Sequence, residues 1–136
     1  MHNTKLIMSL IAAAFIFTSL TGCGGGAKAP VVEIDRTDYI GCYRDKGDAG
    51  GAWGRDLDKY FYNSNNMTIP QCIQDCKALG YKYAGLQSQN QCFCGNSYGK
   101  YGPAEGECTK RCIGDKEMIC GGTWANSIYE TGFVGE

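Results

Sequence analysis

Apolar and polar residues alternate at both ends of the segment from residue 39 to residue 131. The first stretch runs from Tyr39 to Tyr43 and the last from Ser127 to Thr131, and both are rich in β-branched or aromatic residues. Such alternation is typical of β-strands. We expect the two strands to lie near each other in one sheet, so that the ends of a single domain meet.

A helical pattern follows Thr68. Thr68 fits the N-cap, Gln71 completes a capping box, and Pro70 stands in the first turn, where its missing N–H costs nothing. Gly80 fits the position just after the last helical residue, where a left-handed conformation is common. The pattern predicts one main helix between Thr68 and Gly80.

Two short strands are predicted after the helix, at residues 83–87 and 91–95. The polar residues Ser88, Gln89 and Asn90 connect them, and this is a hairpin-length connection. From Asn96 to Gly106, glycine and tyrosine interleave without a period, which predicts a long loop. The predicted fold class is therefore a small α+β domain, an antiparallel sheet with one main helix, followed by a C-terminal tail at residues 132–136.

The N-terminal segment has the pattern of an export signal. The apolar run of residues 6–20 is shorter than the roughly 18 residues of a membrane-spanning helix, and small residues follow it. The sequence Leu20-Thr21-Gly22-Cys23 resembles the bacterial lipobox, whose cysteine is acylated and becomes the first mature residue. We predict a signal peptide at residues 1–22, lipidation of Cys23, and a flexible tether over residues 23–38. Gly24 is not the aspartate that resembles an inner-membrane retention signal, so an outer-membrane location is expected where the cell has one.

Charge and histidine content narrow the range of functions. Removing residues 1–22 takes away Lys5 and His2, the one histidine, and leaves 12 basic and 14 acidic residues, a net formal charge of 12 − 14 = −2. A near-neutral domain without a basic run is not expected to bind nucleic acid. Without an imidazole, the mature chain lacks the base of Ser-His-Asp and Cys-His catalytic systems and the ligand of histidine-bound zinc or copper.

Eight cysteines remain after Cys23, and an even number in a small exported domain indicates four disulfides. Cys72 and Cys76 share one face of the predicted helix, while Cys92 and Cys94 share one face of a predicted strand. Two parallel bridges, Cys72–Cys92 and Cys76–Cys94, would fasten the helix to the sheet, and the crossed pairing is the alternative. Metal binding would need reduced thiolates outside the cytoplasm, and a redox role lacks a C-x-x-C motif, so no metal or cofactor is expected.

The cysteines and glycines together form a pattern that resembles the WSC domain. The matching motifs are Tyr39-x-Gly41-Cys42-Tyr43-x-Asp45, Cys72-x3-Cys76, Tyr83-Ala84-Gly85, Cys92-x-Cys94-Gly95-Asn96, Cys108-x3-Cys112-x-Gly114, Cys120-Gly121-Gly122 and Ser127-Ile128-Tyr129. The resemblance implies one helix on an antiparallel sheet, similar to PAN/apple modules, over residues 39–131. It also implies the disulfides Cys42–Cys108, Cys72–Cys92, Cys76–Cys94 and Cys112–Cys120. The interval between Cys42 and Cys72 is long for the family, so the chain is expected to differ there.

The resemblance further implies carbohydrate binding, because such domains occur in fungal cell-wall sensors and beside carbohydrate-active enzymes. Sugars present apolar faces and a rim of hydroxyls, so their sites combine exposed aromatic rings with amide and carboxylate groups. One candidate cluster joins residues of the Gly121-Gly122 motif to the long loop, and a second lies near Trp53. The candidate ligand-binding residues are Trp124, Asn126, Asn96, Tyr98, Tyr101, Trp53 and Arg55, with Asp56 beside the second cluster.

Structural roles compete with these assignments. Three tyrosines that alternate with core positions are expected to be structural, namely Tyr43, Tyr83 and Tyr129. Arg55 fits an ion pair as well as a sugar contact. Four acidic residues lack the D-x-D-x-D-G spacing of a calcium loop and are predicted to form a solvated face: Asp45, Asp48, Asp56 and Asp58.

Two functions from different classes follow. The first is a membrane-anchored lipoprotein whose domain binds a cell-envelope or external polysaccharide. The alternative is a protein-interaction module with an envelope protein as its partner and no glycan ligand, because PAN/apple-type domains also bind proteins. Catalysis is not expected, since a disulfide-linked domain of 93 residues leaves little room for a deep cleft around a carboxylate pair such as Asp56 and Asp58.

Overall fold

The computed structural model describes residues 38–47 and 52–135. These residues belong to one of the chain's two compact units, Val32–Glu136. The predicted signal peptide, Cys23 and nearly all of the tether lie outside the described residues. In the part of the chain that is described, no helix has the length and apolar character needed to span a membrane.

Five strands form one antiparallel sheet with a single helix packed on it. The sheet order is β1-β5-β3-β4-β2, so the first and second strands form its two edges. The elements are β1 (Tyr39–Arg44), β2 (Tyr60–Asn63), α1 (Ile69–Ala78), β3 (Tyr83–Gln87), β4 (Gln91–Gly95) and β5 (Ala125–Glu130). The small disulfide-rich α+β fold predicted from the sequence is confirmed.

The helix has the ends that its sequence predicts. The Thr68 side chain accepts a hydrogen bond from the Gln71 backbone N–H at 3.3 Å, and Pro70 lies in the first turn. Gly80, just after the last turn, has φ of 83°, a left-handed conformation that glycine adopts without steric cost. The helix buries one face against the sheet through Ile69, Cys72, Ile73 and Cys76.

The first and last strands pair as the alternating patterns predict. Cys42 lies opposite Ser127 and Tyr43 opposite Asn126 in the antiparallel pair of β1 and β5. The hairpin of β3 and β4 also forms at the predicted residues. Strand β2 was not predicted, although Tyr60 to Tyr62 is a run of three aromatic residues, which favours a strand.

Four disulfides fasten the loops and the helix to the sheet: Cys42–Cys108, Cys72–Cys92, Cys76–Cys94 and Cys112–Cys120. This is the pairing that the family resemblance implies. The sulfur atoms of Cys72, Cys76 and Cys92 lie within 4.8 Å of one another because two bridges meet beneath the helix. Since disulfide sulfurs are not thiolates, they are poor metal ligands, and this cluster is part of the scaffold.

The two faces of the sheet have separate cores. On the helix side, the disulfides pack with Ala84, Leu86 and Tyr129. On the opposite side, Phe93, Leu57 and Ile128 are fully buried, and Phe61 stacks on Phe93 with ring centres 4.6 Å apart. Within residues 38–47 and 52–135, loops and not a helix cover this second face, and the candidate site lies among them.

Candidate functional site

A cleft of about 400 Å³ lies on the face opposite the helix, at the hairpin end of β3 and β4. Its floor comes from the strands and its wall from the loop before β5. The lining residues are Arg55, Phe61, Asn63, Gln87, Ser88, Gln91, Thr123 and Trp124. The cleft therefore combines two aromatic rings with a majority of uncharged polar side chains.

A row of amide side chains crosses the sheet at the floor of the cleft. Gln91 lies opposite Asn63 on β2 and opposite Gln87 on β3. Leu86 pairs with Ser127, so the next positions, Gln87 and Asn126, lie side by side and point to the other face. Four strands thus place amides in one row, although Asn63 and Asn126 are far in the sequence from the two glutamines of the hairpin.

Several atoms of this row are buried without a hydrogen-bond partner. They are Oε1 of Gln87, Oε1 of Gln91, and both Oδ1 and Nδ2 of Asn126. Leaving a buried polar atom unpaired costs about 1 to 3 kcal/mol, and native proteins contain few such atoms. Their concentration at one cleft indicates that the floor is built to hydrogen-bond a ligand or water.

Trp124 forms the wall of the cleft in a strained conformation. Its φ is 57°, in the left-handed region, and its side chain is 42% exposed. A bulky residue in this region costs roughly 1 kcal/mol, and such strain is concentrated at functional sites. The fold therefore presents an indole ring to solvent at a position where glycine would be more stable.

The glycines before Trp124 bring it close to the hairpin. A Cβ atom on Gly121 would lie 2.0 Å from the Leu86 carbonyl oxygen, and one on Gly122 would lie 2.0 Å from that of Glu107. The N–H of Ser88 donates to the Gly122 carbonyl at 3.2 Å, which joins the two segments directly. The Cys-Gly-Gly motif thus positions Trp124 beside the amide row.

Arg55 supports the Trp124 ring from the protein side. Its guanidinium lies 4.6 Å from the centre of the Trp124 ring and 5.1 Å from that of Phe93. The same group donates to the Asp45 carboxylate at 2.9 Å, in a buried ion pair. Arg55 therefore makes the structural ion pair that the sequence analysis considered and also lines the cleft.

Asp45 connects this ion pair to both neighbouring loops. Its carboxylate accepts the backbone N–H of Asp56 at 2.8 Å, and its own N–H donates to the Trp124 carbonyl at 2.8 Å. The side chain of Asp45 is fully buried. The prediction that Asp45 belongs to a solvated face is wrong, because the carboxylate balances a buried guanidinium and organises the backbone around Trp124.

Asp56 is also buried, which contradicts the same prediction. Its two oxygens accept the backbone N–H groups of Gly99 and Lys100 at 2.8 and 2.7 Å. Burial raises the pKa of Asp56, and these two hydrogen bonds offset only part of that rise. The carboxylate holds the long loop against the cleft. Asp58 is exposed as predicted, and Asp48 lies outside the described residues.

Asn96 and Tyr98, two of the predicted ligand-binding residues, are not among the residues that line the cleft. Asn96 follows the last residue of β4, five positions from Gln91, a distance of roughly 17 Å along an extended strand. Its side chain accepts the Lys82 N–H at 3.1 Å. Tyr98 packs edge-on against Tyr43 and Tyr83 at 5.0 and 4.8 Å. The structure therefore does not bring Asn96 and Tyr98 into the cleft beside Trp124, and their role in ligand binding stays a prediction.

The remaining candidates divide between the floor and the rim. Asn126, a predicted ligand-binding residue, is fully buried, and its unpaired amide lies in the row beneath the cleft. The Tyr101 hydroxyl donates to the Gly54 carbonyl at 2.5 Å. Trp53, next to Gly54, is 92% exposed. The predicted cluster around Trp53 therefore lies next to the predicted cluster around Trp124. Arg55 connects them, because it follows Trp53 by two positions and its guanidinium stacks on the Trp124 ring.

Sequence analysis missed three residues of the floor, namely Asn63, Gln87 and Gln91. Gln87 and Gln91 are symmetric about the predicted turn, and this symmetry was a signal that they face each other across the hairpin. Asn63 gave no such signal, because β2 was itself not predicted. In the described lining the only charged residue is Arg55, and the cleft offers aromatic stacking and amide hydrogen bonds.

The fold defines a small disulfide-rich α+β domain with a polar, aromatic cleft on the face opposite its helix. The family model of the WSC domain matches residues 39–122. The chain therefore belongs to the WSC domain family, as the cysteine and glycine motifs predict. The match includes all eight bridged cysteines and ends just before Trp124, while the sheet continues through β5 to Glu130.

Several curated proteins are similar to this chain. Kremen protein 1 of Homo sapiens is 38% identical over 95 residues, which cover 68% of this chain and 19% of the relative. A WSC domain-containing protein of Arthroderma benhamiae is 36% identical over 100 residues, 72% of this chain and 10% of the relative. Xylosyltransferase oxt of Drosophila melanogaster is 36% identical over 142 aligned residues, 98% of this chain and 14% of the relative. The chain thus spans a fifth or less of each of these longer proteins.

Proposed function

We propose that this WSC domain binds carbohydrate in the cleft beside Trp124. The observation that supports this proposal most directly is the cleft itself, where a half-exposed indole faces amide groups that have unpaired polar atoms. A sugar ring matches both features, because its C–H face stacks on an aromatic ring while its hydroxyls both donate and accept hydrogen bonds. The strain at Trp124 supports the same assignment, since it presents the ring at some cost in stability.

The charges of the site favour binding without catalysis. Asp56, the carboxylate nearest in sequence to Arg55, uses both oxygens to hold backbone N–H groups, so it is not free to act on a glycosidic bond. Glycoside hydrolysis needs a pair of accessible carboxyl groups across the scissile bond. We therefore propose a non-catalytic module, although one relative is named a xylosyltransferase.

The N-terminal motif supplies the proposed location. In this proposal, residues 1–22 are removed on export and Cys23 carries the lipid that anchors the protein to the membrane. Many copies on one membrane would bind a polymer by multivalency even where each site is weak. The ligand is then a polysaccharide of the cell envelope or of the surroundings.

A direct test is retention of the oxidised mature chain, made without lipid as Cys23→Ser, on insoluble polysaccharides. We would use β-glucan, chitin, cellulose, mannan and peptidoglycan, and compare Trp124→Ala with Tyr60→Ala. Tyr60 is a matched control, because it is 41% exposed, close to the 42% of Trp124, but lies on the edge strand away from the cleft. Retention on one polymer that only Trp124→Ala abolishes supports the proposal. Equal loss in both variants, or retention unaffected by Trp124→Ala, contradicts the proposed site.

One surface favours the alternative, a protein-interaction module. Tyr60, Tyr62 and Leu79 line a groove between the edge strand β2 and the end of α1, and Tyr60 and Leu79 are exposed. Exposed apolar side chains next to an unpaired strand edge are suited to a protein partner. Failure to bind any polymer, combined with capture of an envelope protein that Tyr60→Ala abolishes and Trp124→Ala does not, would favour this alternative.

A further inference from the structure

We propose that Trp53 is a second stacking position beside the cleft, so the domain binds a glycan chain along its length and not a single terminal sugar. This inference rests on the proposed carbohydrate-binding function. It concerns the loop between Cys42 and Cys72, where the chain was expected to differ from the family.

The backbone on both sides of Trp53 is held in place while its side chain is exposed. The N–H of Arg55 donates to the Ala52 carbonyl at 3.1 Å, which closes a turn around Trp53 and Gly54. The Tyr101 hydroxyl donates to the Gly54 carbonyl at 2.5 Å. The Trp53 side chain is 92% exposed. A tryptophan is usually well buried, so a fixed turn that presents an indole to solvent is typical of a contact residue.

The turn also lies next to the cleft. Two peptide units separate Trp53 from Arg55, so their Cα atoms are at most about 7 Å apart. Arg55 lines the cleft and its guanidinium stacks 4.6 Å from the centre of the Trp124 ring. Arg55 thus contacts Trp124 and lies two positions from Trp53 along the chain. A ligand that leaves the cleft on the Arg55 side therefore passes Trp53.

The size of the cleft supports a ligand that extends beyond it. Its volume of about 400 Å³ is near the lower end of the roughly 300 to 1,000 Å³ of small-molecule sites. A short piece of a polysaccharide fills such a space, and further sugars of the same chain must lie outside. An indole beside the opening gives those sugars a stacking surface.

The test is the dependence of affinity on ligand length. Calorimetry would compare the unlipidated mature chain with Trp53→Ala, using cello-, laminari- and chito-oligosaccharides from disaccharide to hexasaccharide. In the wild type, affinity should rise with length in one series. Trp53→Ala should keep the affinity for the shortest ligand that binds and lose about five- to tenfold for the longest, the effect of one stacking contact. Trp53→Tyr should recover part of that loss.

The outcomes separate this inference from the proposed function. If Trp53→Ala shows the same rise of affinity with length as the wild type, Trp53 is not a second stacking position. The proposal of carbohydrate binding in the cleft is then unaffected. If Trp53→Ala weakens every ligand equally, Trp53 acts on the cleft itself and not on an extended chain. If no oligosaccharide or polymer binds the wild type, both proposals fail together.

Discussion

The guanidinium of Arg55 lies over the ring of Trp124, 4.6 Å from its centre, and the same guanidinium is paired with the buried Asp45 carboxylate at 2.9 Å. A cation over an aromatic face is attracted to it, and the attraction strengthens where water is excluded. The exposed ring is therefore oriented by a buried charge pair. The stability of the fold and the orientation of the exposed ring are linked at this one contact.

Removing the negative partner should destabilise the protein strongly. Asp45→Asn keeps the size of the side chain and one carbonyl oxygen, but it removes the negative charge that faces the buried Arg55 guanidinium, which costs about 3 kcal/mol or more. Urea unfolding of the oxidised protein measures this loss. Asp58→Asn is the control, because the Asp58–Lys59 pair is exposed and contributes less than about 1 kcal/mol. Equal effects of the two substitutions would mean that the buried pair does not support the fold.

The Cys-Gly-Gly motif should tolerate no side chain. Gly121→Ala places a Cβ atom 2.0 Å from the Leu86 carbonyl oxygen, so the loop or β3 must move, and we expect a loss of at least about 3 kcal/mol. Gly102→Ala is the matched control, because Gly102 has a similar positive φ, 84° against 72°, and no described heavy atom lies within 4 Å of its added Cβ. That control should cost only the backbone strain, roughly 1 kcal/mol. Thermal unfolding compares the two, and a similar loss in both would show that conformation alone explains the glycine at position 121.

Two substitutions of Trp124 should differ in stability but should lose binding equally. Glycine adopts φ of 57° without the strain that any side chain brings, so Trp124→Gly should be more stable than Trp124→Ala by about 1 kcal/mol. Both variants should lose retention on the polymer, because both remove the indole. Chemical unfolding and the retention assay measure the two effects. If Trp124→Ala is at least as stable as Trp124→Gly, the left-handed conformation is not a source of strain in solution.

Local signals made much of the fold predictable from the sequence. Thr68, Pro70 and Gly80 mark the helix ends by chemistry that acts within a few residues, and the hairpin turn lies between two short alternating strands. The cysteine spacing narrowed the helix-to-sheet bridges to two pairings, and the family motifs implied the observed set. The edge strand β2 was missed because only its pairing with β4 reveals its role.

The site was predictable only in part, because long-range contacts assemble it. Trp124, Trp53 and Arg55 were identified as aromatic or charged residues in loops, and the structure places Arg55 against Trp124. The amide row requires the register of four strands, which no local pattern specifies. Asp56 holds Gly99 and Lys100, 43 and 44 positions away, so nothing near it in the sequence distinguished it from a solvated carboxylate.

Tyr129 should make stability depend on pH in the alkaline range. Burial, with a smaller effect from Tyr39, raises the pKa of Tyr129 from 10.0 to about 12. The folded state therefore holds the proton more tightly than the unfolded state. The resulting stabilisation is complete below pH 10, and it is lost as the pH rises toward 12. The difference corresponds to roughly 3 kcal/mol.

Absorbance of tyrosinate during a pH titration checks this. In the folded protein Tyr129 should ionise near pH 12, and Tyr129→Phe should remove that step. Tyr62→Phe is the control for a different buried phenol, because burial and the hydrogen bond to Asp75 also raise the pKa of Tyr62. If Tyr129→Phe leaves the high-pH step unchanged, the phenol at position 129 is more hydrated in solution than its packing under the helix implies.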